Sequence, residues 1–243
     1  MKEFKDKVLV VTGAGSGIGR AIALEGAQRG MKVVVNDIDA PSLEKTVELV
    51  KSCGAECVSL VADATLAESI EKLLHTALDA FGKVNIMVSN AGVTAPGPVW
   101  ELPIQDIDWI SQANFVSHTY GMHYFIKQMI EQGDECAYMN VASGAGLMVS
   151  GSSCMYHATK TADVVQTEAT YLALKNRGIK NIQMHVLCPA YVLTEIHESD
   201  KHRPERFAIN DDPYYKSEEY IAGNIPAARG VATGIPIDSV GMT

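Results

Sequence analysis

No stretch of the 243 residues approaches the roughly 18 consecutive apolar residues that a membrane-spanning helix requires. The opening "MKEFKDKVLVVTG" has a short apolar run that leads into a Gly-rich turn, not into a small-residue cleavage site. No secretory signal is therefore expected, and the expected location is cytoplasmic. Cysteine is sparse: Cys53, Cys57, Cys136, Cys154 and Cys188 are odd in number and scattered, which argues against a disulfide framework. Cys53 and Cys57 could share a helix face, but two thiols do not make a zinc site. His118 and His123 stand five apart, a poor spacing for one ion, so no metal is expected. A basic excess is also lacking. The formal charge of −9 argues against nucleic acid or an anionic membrane as a partner and leaves a small neutral substrate open.

What is present is an ordinary globular composition, 47% hydrophobic and 20% charged, in a length that suits one large α/β domain. Short apolar runs alternate with amphipathic segments. "KVLVV" at 7–11 reads as a buried parallel strand, and the chain turns helical from Arg20 to Arg29 with Gly30 as a C-cap. "KVVVND" is a second strand, 41–53 a helix begun by Pro41, and "CVSLVAD" a third strand. Leu66, Ile70, Leu73, Leu74, Ala77 and Leu78 recur at helical spacing over 66–81. "NIMVSNAG", "CAYMNVAS" and "NIQMHVLCPA" supply three more strands. Between them lie long helices at about 104–131, with Ile107, Ile110, Phe125, Ile126, Met129 and Ile130 facing inward, and at 154–176. The alternation predicts an α/β fold: a doubly wound, Rossmann-type parallel sheet with helices on both faces. A seventh strand is missing or unrecognisable, since "GIPIDSVGMT" is short and broken by Gly and Pro.

"TGAGSGIG" sets Gly13, Gly17 and Gly19 between a strand and a helix. Glycine lets backbone approach a pyrophosphate without a Cβ clash, and the helix start offers unpaired N–H groups. A tight turn alone would also use glycine. The acid at the end of the second strand sharpens the reading: Asp37 lies 18 residues past Gly19. A carboxylate there accepts hydrogen bonds from an adenosine ribose and repels a 2′-phosphate. Ile38 follows it, with no Arg or Lys to offset that repulsion, so NAD(H) is expected over NADP(H).

With these residues in place, the chain resembles the short-chain dehydrogenase/reductase family over about 4–195. "TGAGSGIG" looks like the family's cofactor loop, "VADAT" its adenine-side segment, and "SNAG" at 89–92 its Asn-Ala-Gly turn. Ser143 in "NVASGAG" resembles the catalytic serine, and Tyr156 and Lys160 in "SCMYHATK" match the Tyr-x-x-x-Lys pair 13 residues later. Asn114 resembles the family's helix asparagine. "PAYVLT" resembles its Pro-Gly-x-x-x-Thr segment, with Ala190 where glycine is usual. The resemblance implies cofactor contacts at Gly13, Ser16, Gly17, Ile18, Gly19, Asp37, Asp63, Ala64, Asn90, Ala91 and Gly92. It implies others at Tyr156, Lys160, Pro189, Val192 and Thr194, and catalysis by Asn114, Ser143, Tyr156 and Lys160. Substrate would meet Ser143, Ala145, Tyr156 and Tyr191, with Thr94, Leu147, Met148 and His197 as further lining.

Alcohol oxidation needs a proton acceptor, and an ordinary tyrosine is a poor base at neutral pH. Residues four apart share a helix face, so Lys160 could set its ammonium beside Tyr156 and favour phenolate, as would an oxidised nicotinamide. Lys160 would also bond the nicotinamide ribose, Ser143 would hold the substrate oxygen, and Asn114 would fix a water joining Lys160 to bulk. His157 is expected on another helix face in a structural role. The mostly apolar lining suits a hydrophobic secondary alcohol or ketone. "HRPERF" loosely resembles a subgroup acting on bulky alcohols such as lignin-derived aromatic dimers; steroid-like or aromatic ketones are equally open. The polar stretch 197–220 reads either as a solvated segment or as a lid, and its four aromatics favour a lid over about 194–225 of a single domain, 1–243. The two long helices resemble the family's dimer interface, so a homodimer or homotetramer is expected. The rival readings are an NADPH-dependent carbonyl reductase and a non-catalytic dinucleotide-binding protein.

Overall fold

The structure is a computed structural model that describes residues 3–218, 220 and 221. The first apolar run forms β1 (Val8–Thr12), buried at every position. The other strands are β2 (Lys32–Asp37), β3 (Cys57–Val61), β4 (Ile86–Ser89), β5 (Cys136–Val141) and β6 (Ile182–Leu187). They make one parallel sheet in the order β3-β2-β1-β4-β5-β6. This is the doubly wound order, in which β1 pairs β2 on one side and β4 on the other. The stretch 234–243, where a seventh strand would be sought, lies outside the described residues.

Alternation along β1 divides the core in two. Val8 and Val10 face one layer, built from α3 (Ala67–Phe81) and the long helices. Leu9 and Val11 face the other, against α1 (Gly17–Gln28) and α2 (Ala40–Ser52). Each such side chain, removed from water, stabilises the fold by about 1.5–3 kcal/mol. Both layers must be covered, which is why β1 has no polar face.

The expected helix at 104–131 is continuous over 104–132, but it is not uniformly α. It runs as α-helix at Ile104–Ser111, widens to a π turn at Gln112–Val116, and returns to α at Ser117–Gly121. A second π turn at Met122–Ile126 precedes the last α segment, Lys127–Gln132. Each π turn rotates everything beyond it, and such turns cluster at functional sites. Ile110, Phe125, Ile126 and Met129 are buried, but Ile130 is 41% exposed. The inward placement of Ile130 is thus corrected: a steady 3.6-residue repeat does not carry through two π turns. The helix Cys154–Asn176 has the expected bounds.

Beyond β6 the chain makes short 3-10 turns at Ile196–His202, Glu205–Phe207 and Pro213–Lys216. It is not simply solvated, because Phe207 and Tyr214 are buried. Arg203 grips the wholly buried Asp106 of the bulged helix through two bonds of 2.8 and 3.0 Å. Its third nitrogen reaches Asp200 at 2.6 Å, and the guanidinium lies 4.0 Å from the Trp109 ring centroid. Burial works against the Arg203 charge, but the bonds to Asp106 and Asp200 outweigh it and push its pKa up. Tyr215 donates to Asp106 at 2.5 Å, Tyr220 bonds Asp200, and Tyr214 bonds the Pro96 carbonyl. The three tyrosine rings meet edge to face.

Two tests follow from this clasp. Arg203→Met leaves the Asp106 carboxylate buried without its cation and is expected to cost about 3–5 kcal/mol of urea unfolding free energy. A loss under about 1 kcal/mol would show the clasp to be dispensable. Burial, then the bond to Asp106, pushes Tyr215 up to about 12, from 10.0 in the unfolded chain. The neutral phenol is therefore favoured by folding. Stability is unaffected below pH about 10 and declines as pH rises towards about 12. Tyr215→Phe is expected to make that alkaline decline shallower in denaturant titrations; an unaltered slope would refute the assignment.

Candidate active site

Parallel strands bring their C-terminal ends to one edge, and a cavity of about 600 Å³ opens there. One end is the turn between β1 and α1. Gly13 has φ +61°, and a Cβ on it would lie 2.8 Å from the Ala91 backbone. A Cβ on Gly19 would lie 2.2 Å from the Gly13 carbonyl. Gly13, Ser16, Gly17 and Ile18 line the cavity, whereas Gly19 is buried beneath the turn and acts by packing. Asn90 braces the turn from the opposite strand: its amide donates to the Thr12 and Gly13 carbonyls, both at 3.0 Å.

Asp37 ends β2 and lines the same cavity. Its carboxylate accepts the Gly15 N–H at 2.7 Å and the Asp39 N–H at 3.0 Å, which fixes its direction. Asp63 and Ala64 stand beside it on the wall. One Asp63 oxygen accepts from the Thr65 backbone and hydroxyl, and the other lies 2.7 Å from Arg206. Arg206 also bonds the Thr65 hydroxyl. The segment after β6 thus reaches across to the far strand of the sheet. The sequence marked "HRPERF" but did not reveal that Arg203 meets Asp106, 97 residues away, or that Arg206 meets Asp63 on the far side of the sheet.

The same cavity is lined by Ala91, Gly92, Ser143, Tyr156 and Lys160, with Pro189, Val192 and Thr194. Ser143 leaves β5 and its hydroxyl accepts the Ala145 N–H at 3.1 Å. The Gly144 N–H donates to the Pro189 carbonyl at 2.8 Å, tying the serine turn to the end of β6. Lys160 is 3% exposed; its ammonium donates to the Val141 carbonyl at 2.8 Å and reaches Asp163 at 3.4 Å. Tyr156 is partly buried and shares the wall, but none of those ammonium contacts is to its hydroxyl. Asn114 sits in the first π turn, wholly buried, exchanging two bonds with the Val93 backbone at 2.7 and 2.9 Å. A Cβ on Gly92 would lie in ordinary contact with the Asn114 oxygen, at 3.4 Å, and Lys160 Nζ, at 3.5 Å, which places Gly92 beside both groups.

Thr94, Ala145, Met148 and Tyr191 line the cavity; Leu147 and His197 do not, and Leu147 is 68% exposed. Leu147 turns outward because its loop is pinned from below by His157. That ring bonds the Ala145 and Met148 carbonyls at 2.9 and 2.8 Å through Nδ1 and accepts the Ser150 N–H through Nε2. His157 therefore lines the cavity with Tyr156 instead of facing elsewhere, because it holds the loop that walls the mouth. Burial raises the pKa of the nearby Cys188 thiol. Among the described residues, no helix is long and apolar enough to cross a membrane and no cluster of metal-ligating side chains occurs.

The family model for the short chain dehydrogenases matches residues 7–205. A CLA biosynthesis dehydrogenase/reductase of Lactiplantibacillus plantarum is 41% identical over all of this chain and 85% of its own. A C alpha-dehydrogenase of Sphingobium is 31% identical, covering 91% of this chain and 72% of its own. A short chain dehydrogenase/reductase from Burkholderia phymatum, solved in complex with NAD, superposes with a TM-score of 0.95 at 36% identity over 99% of this chain and 85% of that one. The glycine turn, the fixed Asp37 and the Ser143, Tyr156 and Lys160 wall thus stand in a chain that belongs to the short-chain dehydrogenase/reductase family of oxidoreductases.

Proposed function

We propose that the protein is an NAD-dependent dehydrogenase/reductase that interconverts a hydrophobic secondary alcohol and its ketone. One observation carries the reading: a single cavity joins the Asp37 carboxylate, held by two backbone N–H groups, to Ser143, Tyr156 and Lys160. The groove fits a dinucleotide. The Gly13 cradle leaves no room for a Cβ, the start of α1 faces the cavity, and Asp37 supplies acceptors for a ribose diol while repelling a 2′-phosphate. The NAD complex of the Burkholderia phymatum protein supports the same choice.

NAD, when bound, supplies the hydride exchange. The chain handles the proton and the geometry. Ser143 holds the substrate oxygen by a hydrogen bond beside Tyr156. Tyr156 takes the hydroxyl proton in oxidation and returns it in reduction. The buried ammonium of Lys160 favours the negative charge that develops on the tyrosine oxygen and bonds the nicotinamide ribose. Asn114 positions a water that relays the proton from Lys160 towards solvent. Gly13, Ser16, Gly17 and Ile18 hold the pyrophosphate, with Gly19 packed below. Asp63 and Ala64 flank the adenine, and Pro189, Val192 and Thr194 hold the carboxamide. Ala145 and Tyr191 receive the apolar part of the substrate.

The exposed Met148, Val149 and Tyr191 at the mouth support an apolar substrate. So do the relatives' names, which include a cyclohexanol dehydrogenase of Acinetobacter, 31% identical over 195 residues. The clasped segment 194–218 acts as a lid over this end; residues 222–225 of the expected lid lie outside the described residues. A panel of hydrophobic secondary alcohols and ketones, run with NADH and NADPH, tests the reading. Turnover is expected with NADH, and Tyr156→Phe is expected to lose about a hundredfold or more of it. Full activity in that variant, or a preference for NADPH, would refute the corresponding part.

The long helix also presents Val165 and Leu172 to solvent, 58% and 52% exposed and about two turns apart. We propose that they pack against a second copy in a homodimer or homotetramer. Light scattering at micromolar concentration is expected to give at least twice the 26.2 kDa chain mass, and Val165→Glu with Leu172→Glu to lower it. A monomeric mass in the unaltered protein would overturn this.

A further inference from the structure

The mechanism above leaves a buried pair of titratable groups unused. Asp163 lies three residues beyond Lys160 on the long helix and is wholly buried. One of its oxygens is 3.4 Å from Lys160 Nζ, and the other is 3.0 Å from His118 Nδ1. His118 is 1% exposed and comes from the α segment between the two π turns. Its second nitrogen, Nε2, lies 2.9 Å from the carbonyl oxygen of Ala91, in the Asn-Ala-Gly turn on the cavity wall.

Both partners of His118 are acceptors. A carbonyl oxygen has no proton to give, and neither has an ionised carboxylate. A neutral imidazole carries a single N–H and could serve only one of them. His157 makes the contrast in the same site: its Nε2 accepts a backbone N–H from Ser150, so that ring needs a proton on Nδ1 alone. For His118, a proton on each nitrogen satisfies both contacts. Asp163 then lies between two cations, which is how a wholly buried carboxylate is kept charged.

The consequence falls on Lys160. Asp163 alone would cancel the positive charge that the tyrosine oxygen depends on. With His118 doubly protonated, the buried trio carries one net positive charge. We infer that His118 and Asp163 are positioning residues: Asp163 fixes the Lys160 ammonium, and His118, as an imidazolium, restores the positive charge that Asp163 would otherwise remove from behind Tyr156. The inference rests on Tyr156 being the proton-transfer group of the proposed reaction.

The other groups around the trio do not compete for this role. Tyr138, on β5, bonds Ser89 and the His118 carbonyl, and burial pushes its pKa up, so it stays neutral. Cys188, beyond β6, is raised by burial and stays a thiol. Glu168, on the long helix, is exposed and screened by solvent. That leaves Tyr156 and the trio itself.

The test uses the full chain and has two arms. Nitrogen-15 shifts of the His118 ring at pH 7 are expected to show both nitrogens protonated. A ring with one bare nitrogen overturns the inference. This arm needs no turnover, so it stands even if the alcohol panel shows none and the proposed function fails. The second arm follows kcat/KM for NAD-linked oxidation of an alcohol from that panel as a function of pH. His118→Gln removes one positive charge and is expected to move the acidic limb up by about one pH unit. The double variant His118→Gln with Asp163→Asn removes both members of the pair and is expected to return the limb to within a few tenths of its original place. A purely structural role would lower the rate in both variants and leave the limb unmoved, which overturns the inference. Melting temperature and NADH affinity are read on each protein, and His118→Asn serves as the second substitution if the glutamine variant does not fold.

Discussion

Parallel pairing is the constraint from which the site follows. Six strands running in one direction put all their C-terminal ends on one edge. Between β1 and β4 the chain changes the side to which it builds, and a cleft must open there. Every group of the candidate site leaves the sheet at that edge or is packed against it. The glycine turn follows β1, Asp37 ends β2, Asn90 follows β4, Ser143 follows β5 and Pro189 follows β6. The central strand β1 is buried on both faces, so its polar chemistry is confined to its end.

Charge is then placed in that cleft by buried pairing. Lys160 and Asp106 sit at 3% and 0% exposure, which neither group tolerates without a partner. Lys160 is held by Val141 and Asp163; Asp106 is held by Arg203 and Tyr215. The first arrangement fixes a cation in the cavity wall that Tyr156 shares. The second ties the segment after β6 to the bulged helix. Both depend on the helix 104–132, whose first π turn carries Asn114 and sets the rotation at which His118 meets Asp163.

Much of this was readable from residue order. Strand runs such as "KVVVND" and the helix Cys154–Asn176 came out with their observed bounds, because two-residue and 3.6-residue apolar periods are local properties. The glycine turn and Asp37 were readable because a phosphate cradle and its ribose acid occur within one strand-helix-strand unit. The π turns were not, since they conserve helical composition while changing its phase. Ile130 shows the result. Nor were the partners of Arg203 and Arg206, which are set by where a long irregular segment happens to fold back.

The sequence by itself determined the alternation of strands and helices, the phosphate turn, and the order and spacing of Ser143, Tyr156 and Lys160. These are fixed by neighbours a few residues away, so local sterics and periodicity suffice. Only the tertiary structure decided which buried charges meet. His118 looked like half of a poor metal site, and Asp163 carried no signal at all, because their contact joins two helices 45 residues apart. Burial turns that contact into a choice of proton count, and burial is a property of the packed molecule alone.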